Sequence, residues 1–237
     1  LQFDNLRISF FFFSCVALNN VKVEGKGLPT LKTQDLIITP AVLPLLNLAR
    51  IALAEKMGLS PTIEKDLNLE IIKAIKAQQF LNGQVEVSLN PGTKTENGTA
   101  RQKISISAQK LSLAELRGLL ELPLSMKGNL SLESQAQADL TFQEQPDMDF
   151  QLKIEKFELP VSNLEIKDFG PLSLPELKLA QVDLKGRLTA GKLIIEQGVI
   201  GQEKDEVHGN IKGDIMLFIN GRGKTPAPEF GGYNFEV

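Results

Sequence analysis

Val207-His208-Gly209-Asn210-Ile211-Lys212-Gly213-Asp214-Ile215-Met216-Leu217-Phe218-Ile219 decides the fold. Val207, Gly209, Ile211, Gly213, Ile215, Leu217 and Ile219 hold one parity, and His208, Asn210, Lys212 and Asp214 fall between them. Successive side chains of a strand point to opposite faces, so this pattern describes a strand with one apolar and one wet side. The same alternation recurs at Ile104, Ile106 and Ala108, at Ala136, Ala138, Leu140 and Phe142, and at Phe150, Leu152 and Ile154. Half-buried antiparallel strands give this signal, and their close spacing from residue 127 to 219 predicts a long meander.

The parity slips in two places. After Ile154 the apolar positions move to Phe157 and Leu159, and after Leu179 they move to Val182 and Leu184. A slip inside a strand predicts a bulge, which raises local twist. The expected fold is therefore mainly β: a long, strongly curved antiparallel sheet, partly rolled, with two short covering helices. Glycines precede aliphatic residues by two positions at Gly83, Gly128, Gly186 and Gly209. Such repetition suits an architecture that grows by adding hairpins.

The first helix is expected over 41–57, with Thr39 as N-cap, Pro40 at the first helical position and Gly58 as the stop. Its apolar residues lie nearly all round, so it must be buried or rest on something greasy. The second is expected over 113–121, where Ser112 and Glu115 form a capping box and Pro123 lies beyond the end. Residues 63–80 fit both periods, with strand preferred. Phe10 to Leu18 reads as strand, with Cys15 as a small core residue. Asn90 to Gly98 reads as a loop that divides one domain, residues 1–219, into sub-lobes 1–90 and 101–219. The Gly- and Pro-rich tail, 220–237, is expected to be irregular.

The chain of 237 residues has a net charge of −3, with 42% apolar and 23% charged side chains. That balance excludes a disordered or collagen-like chain. No apolar run approaches the length of a membrane-spanning helix. Residues 1–110 carry +4 and residues 111–237 carry −7. No basic stripe exists to neutralise phosphates, so nucleic acid is not an expected partner. One His, one Cys, one Tyr and no Trp argue against zinc and triad chemistry. His208 reads as a solvated strand residue, and Glu203, Asp205 and Glu206 read as a polar turn. No phosphate-binding glycine loop and no nucleophile elbow is present. The expectation is a protein without catalytic, metal or cofactor residues.

What remains is apolar surface. A sheet with one aliphatic face needs a cover, supplied by rolling, by helices or by a ligand. The reading places most of that face in a rolled core and leaves a groove beside the helices. Val42, Leu45, Leu46 and Ala49 on the first helix, with Leu116, Leu119 and Leu120 on the second, are the candidate cover or groove lining.

Three segments carry a family resemblance, and the helix expected after Ile38-Thr39-Pro40 fits it as well. The first runs from Phe157-Glu158-Leu159-Pro160 through Phe169-Gly170-Pro171-Leu172-Ser173-Leu174-Pro175-Glu176-Leu177-Lys178-Leu179 to Val182-Asp183-Leu184-Lys185-Gly186-Arg187-Leu188. The second is Val207-His208-Gly209-Asn210-Ile211-Lys212-Gly213-Asp214-Ile215. The third is Leu116-Arg117-Gly118-Leu119-Leu120-Glu121-Leu122-Pro123-Leu124 with Lys127-Gly128-Asn129-Leu130. Together they resemble the type II secretion system protein N family (GspN) over residues 30–219. The glycine-strand pattern is also similar to AsmA-like proteins, which resemble bridge-like lipid-transfer proteins. The first resemblance implies a non-enzymatic accessory component of a bacterial type II secretion system. It implies a domain on the periplasmic face of the inner membrane, behind an N-terminal anchor, with other secretion components as partners. The second implies a lipid-binding module with an apolar concave groove and phospholipid as ligand. Neither implies catalytic residues or a cofactor.

Overall fold

A computed structural model describes residues 2–9, 15–25, 28–40, 72–94, 100–120, 124–139, 144–166, 170–220 and 227–236. The strands are β1 (Asn5–Ser9), β2 (Cys15–Gly25), β3 (Leu28–Pro40), β4 (Ile72–Phe80), β5 (Gly83–Lys94), β6 (Ala100–Ser112) and β7 (Lys127–Ala138). They continue as β8 (Asp147–Leu159), β9 (Ser162–Ile166), β10 (Gly170–Leu174), β11 (Leu177–Thr189), β12 (Lys192–Ile200), β13 (Gly209–Asn220) and β14 (Ala227–Glu236). Among the described residues there is one helix, α1 (Leu113–Leu120).

Twelve strands form one open antiparallel sheet in the order β1-β2-β3-β4-β5-β6-β7-β8-β11-β12-β13-β14, while β9 and β10 pair separately. Each strand thus lies beside its sequence neighbour, apart from the inserted β9–β10 hairpin between Pro160 and Pro175. The meander expected from the alternation is what forms.

The register builds an apolar face across the whole sheet. One lateral row runs Ile8, Val16, Ile38, Ile75, Val87 and Ile106 over β1 to β6. It continues through Ser134, Phe150, Gly186, Ile195, Gly213 and Phe235 to β14. The next row holds Leu18, Leu36, Val85, Leu132, Leu152 and Leu184, among others. The opposite face is polar. Gln84 Nε2 donates to Gln109 Oε1 at 2.8 Å and Ser107 Oγ donates to Glu133 Oε1 at 2.6 Å. Lys76–Glu86, Arg187–Glu196 and Lys192–Asp214 are solvent-facing ion pairs. Such pairs contribute little to stability, so the apolar face carries the fold.

Bulges keep that face apolar. Asn19, Asp35, Gln78, Gln84 and Gln109 form one polar row. Asn20, Gln79 and Lys110 each follow a member of it, with φ of 51°, 52° and 55°. Lys156 in β8 has φ 54°. A left-handed residue is uncommon outside glycine, and at Gln79, Lys110 and Lys156 it absorbs an extra residue, whereas the register runs on unbroken past Asn20. The next residue then returns to the apolar side at Phe80, Leu111 and Phe157, and Val21 after Asn20 is 2% exposed. The expected slip after Ile154 is the Lys156 bulge. The slip after Leu179 is its partner, because Leu179 pairs with Phe157 and Val182 with Ile154.

Several expectations need correction. The tail is not wholly irregular, since Ala227–Glu236 forms β14 against β13. Its aromatic residues outweigh the glycines that suggested a loop. Asn90 to Lys94 belongs to β5, which pairs with β6 from Gln84↔Gln109 to Lys94↔Ala100, so this part of the expected loop is strand. Thr39 and Pro40 end β3, opposite Ala74 and Ile72. The first helix, 41–57, lies outside the described residues, as do 63–71 and 10–14. The remainder of the ambiguous stretch is strand β4. The sheet does not close on itself. Among the described residues the buried apolar side chains are Leu18, Val21, Ala108, Leu111, Leu113, Ala138, Leu179 and Leu188. Most of the apolar face is half-buried, not the rolled core expected. Cys15 is half-buried opposite Ser9 and takes the parity of Asn19, the polar side.

Candidate binding face

Strand pairing fixes every residue of the apolar face, because a shift of one residue would turn the whole set to the other side. Val87, Ile106, Phe150, Leu152, Leu184 and Ile195 are all half-buried. A layer packed over them would bring such side chains to full burial, as in any two-layer domain. The centre of the face is lined by small residues between large ones. A Cβ on Gly186 would lie 2.9 Å from Phe150 Cζ, and one on Gly198 would lie 2.4 Å from Ile211 Cγ2. The glycines let the neighbouring side chains lie down on the sheet.

The helix α1 stands at the foot of the sheet. Ser112 Oγ accepts from the Glu115 N–H at 3.4 Å, which is the expected cap. The Ser112 N–H donates to Leu81 O at 2.8 Å, and Asn82 Nδ2 donates to Glu115 Oε1 at 2.8 Å. These bonds pin the helix across the β4–β5 turn, where it also touches β3, β6 and β7. A hollow of about 830 Å³ lies between Leu31 of β3, Phe80 and Leu81 of the turn, and Leu119 of α1. Lys22, Lys32 and Glu115 reach the same hollow. Leu119 therefore lines a space, and Leu116 is half-buried. The side chain of Leu120 lies outside the described residues. So do Val42, Leu45, Leu46 and Ala49.

A second hollow, about 560 Å³, spans β5 to β12. Ser88, Ser105, Ser107, Glu86, Glu133 and Asp149 line it together with Ile106, Phe150 and Gly186.

The turn before β13 is built on Asp205. Its Oδ2 accepts from the N–H groups of Ala180 and Gln202, both at 2.8 Å, and these backbone bonds hold its carboxyl below the ordinary range. His208 is exposed, with Nδ1 3.4 Å from Asp205 O. The acids there serve a turn. The hydrogen bond from Lys153, 2.8 Å away, likewise lowers Glu155 and raises Lys153. Among the described residues no cluster of His, Cys, Asp or Glu has the form of a metal site. No helix there is long and apolar enough to cross a membrane.

The aromatic residues Phe230, Tyr233 and Phe235 of β14 were not anticipated. The alternation that would have revealed them is broken by Gly231 and Gly232. No family model matches the chain, and no curated protein or solved structure matches it.

Proposed function

We propose that the chain is a non-enzymatic lipid-binding module of AsmA-like type, whose apolar face takes acyl chains. The observation that carries this is the lateral row from Ile8 to Phe235. It crosses all twelve strands while most of its aliphatic side chains stay only half-buried. A sealed docking module would bury that row, whereas a carrier needs it within reach of its ligand.

Native mass spectrometry of detergent-free protein, purified from its host, tests the reading. A phospholipid adduct near one-to-one or above is expected. Ile106→Gln, at the middle of the face, should lose that adduct while keeping a cooperative melt. A clean apo mass from the wild-type protein overturns the lipid reading.

A second reading draws on the strand edges. β1 and β14 end the sheet with one side of each unpaired among the described residues, and such edges accept a further strand from a partner. In that case the chain is a periplasmic accessory component of a type II secretion system, held at the inner membrane and docked to other secretion components. Cross-linking that captures a secretion component through β1 or β14, together with a clean apo mass, supports it.

A further inference from the structure

The register places Phe230, Tyr233 and Phe235 opposite Leu217, Ile215 and Gly213. All three rings therefore lie on the apolar side of the sheet. They do so because the strand holds one extra residue at Gly231-Gly232, where the register shifts against Ile215 and Leu217. Glu229, Asn234 and Glu236 take the other side, opposite Phe218, Asp214 and Lys212. The three rings are 68%, 75% and 40% exposed, and Tyr233 stacks with Phe235 at 6.0 Å between ring centres. Gly213 makes room for this, since a Cβ there would lie 2.5 Å from Phe235 Cδ1.

An edge strand in water is ordinarily blunted by charge, proline or short length. β14 has Pro228, Glu229, Glu236 and a bulge, and it also presents a row of aromatic side chains that continues the apolar face outward. Addition of a strand would satisfy its backbone and leave the rings on the same exposed face. Aromatic side chains with an apolar body, and Tyr with its polar tip, suit the boundary between headgroups and acyl chains. The two charges of β14 are both acidic, Glu229 and Glu236. They favour a zwitterionic over an anionic surface.

We propose that the aromatic side of β14 seats on a zwitterionic lipid bilayer, with Phe230, Tyr233 and Phe235 entering the headgroup boundary, so that acyl chains pass onto the apolar face at this edge. The passage of lipid rests on the acyl-chain reading above, but the seating itself does not.

The chain carries its own probe, because Tyr233 is the one tyrosine and there is no tryptophan. The whole protein is mixed with phosphatidylcholine vesicles and its tyrosine emission is titrated with acrylamide. Expected are loss of most acrylamide quenching, new quenching by brominated acyl chains and co-sedimentation with the vesicles. Adding phosphatidylglycerol to the vesicles should weaken all three. The double variant F230S/F235S keeps Tyr233 and should lose vesicle binding with an unchanged circular-dichroism spectrum. Unchanged acrylamide access in the wild-type protein overturns the proposal, whatever the variant does. So does protection that grows with protein concentration in the absence of vesicles, which would assign this edge to a second copy. Vesicle binding with a clean apo mass would leave the seating standing and sink the lipid-carrier reading alone.

Discussion

At Gly186 the backbone of β11 comes so close to its neighbours that no side chain fits. A Cβ would lie 2.2 Å from Ile194 O and 2.9 Å from Phe150 Cζ. The obstacle is partly backbone, which a small rotamer change cannot relieve. Gly186→Val is expected to cost about 1–3 kcal/mol, read as a lower urea midpoint at unchanged slope. Asp205 gives a pH signature. Its folded pKa lies below the ordinary 3.8, because two backbone N–H groups bind the ionised form. Its contribution is therefore present above that value and is lost as pH falls through the folded pKa. Asp205→Asn should flatten the acid limb of the melting temperature below about pH 4 and leave the neutral limb nearly level. At this scale the sequence was partly readable. The slip at Lys156 is visible as an odd step from Ile154 to Phe157. The same device at Gln78-Gln79-Phe80 and Gln109-Lys110-Leu111 is written as a polar pair before an apolar residue. That signal is short, and its meaning depends on strands far apart in sequence standing at one level.

Elements differ in how locally they are encoded. The helix α1 announces itself, since Ser112 and Glu115 lie at cap spacing ahead of a leucine stripe. β14 does not, because Gly231-Gly232 inserts a residue and hides the period of two. The β7–β8 connection also makes a contact that no local pattern predicts. Gln145 Nε2 donates to Ile219 O at 3.0 Å, and Gln145 Oε1 accepts from Ile219 N–H at 2.8 Å. A side-chain amide thus takes the place of a neighbouring strand for β13, near the end of the β11–β12 hairpin. Gln145→Ala would strip both bonds from a part-buried peptide group, at a cost of about 1–3 kcal/mol. Faster hydrogen exchange at the Ile219 amide, with β5 and β6 unchanged, is the expected readout.

Over the whole molecule, nearly every strand leans only on those beside it in sequence. Stability then approximates a sum over neighbouring pairs, as in other linear architectures. Removal of residues 221–237, and with them β14, should leave amide protection in β4 to β12 close to that of the full chain. Collapse of protection throughout would mean that the sheet folds as a single unit. The antiparallel meander was legible because each strand alternates and turns recur at short intervals. Whether the sheet closes was not, because Leu132, Leu152 and Leu184 have the same parity in an open sheet and in a rolled one. Leu119, in the stripe of α1, stands on the hollow with Phe80 and Leu31.

The strictly sequential order also governs how the molecule answers to tension. β1 and β14 lie at opposite margins of the sheet, so a pull applied at β1 and β14 acts across the strands, not along them. Under that load the backbone bonds of each ladder are opened a few at a time, as in a zipper, instead of being sheared together. Stretched between those two edge strands, the sheet should yield at low force in a series of small extensions from its margins inward, giving up one strand's length at each step.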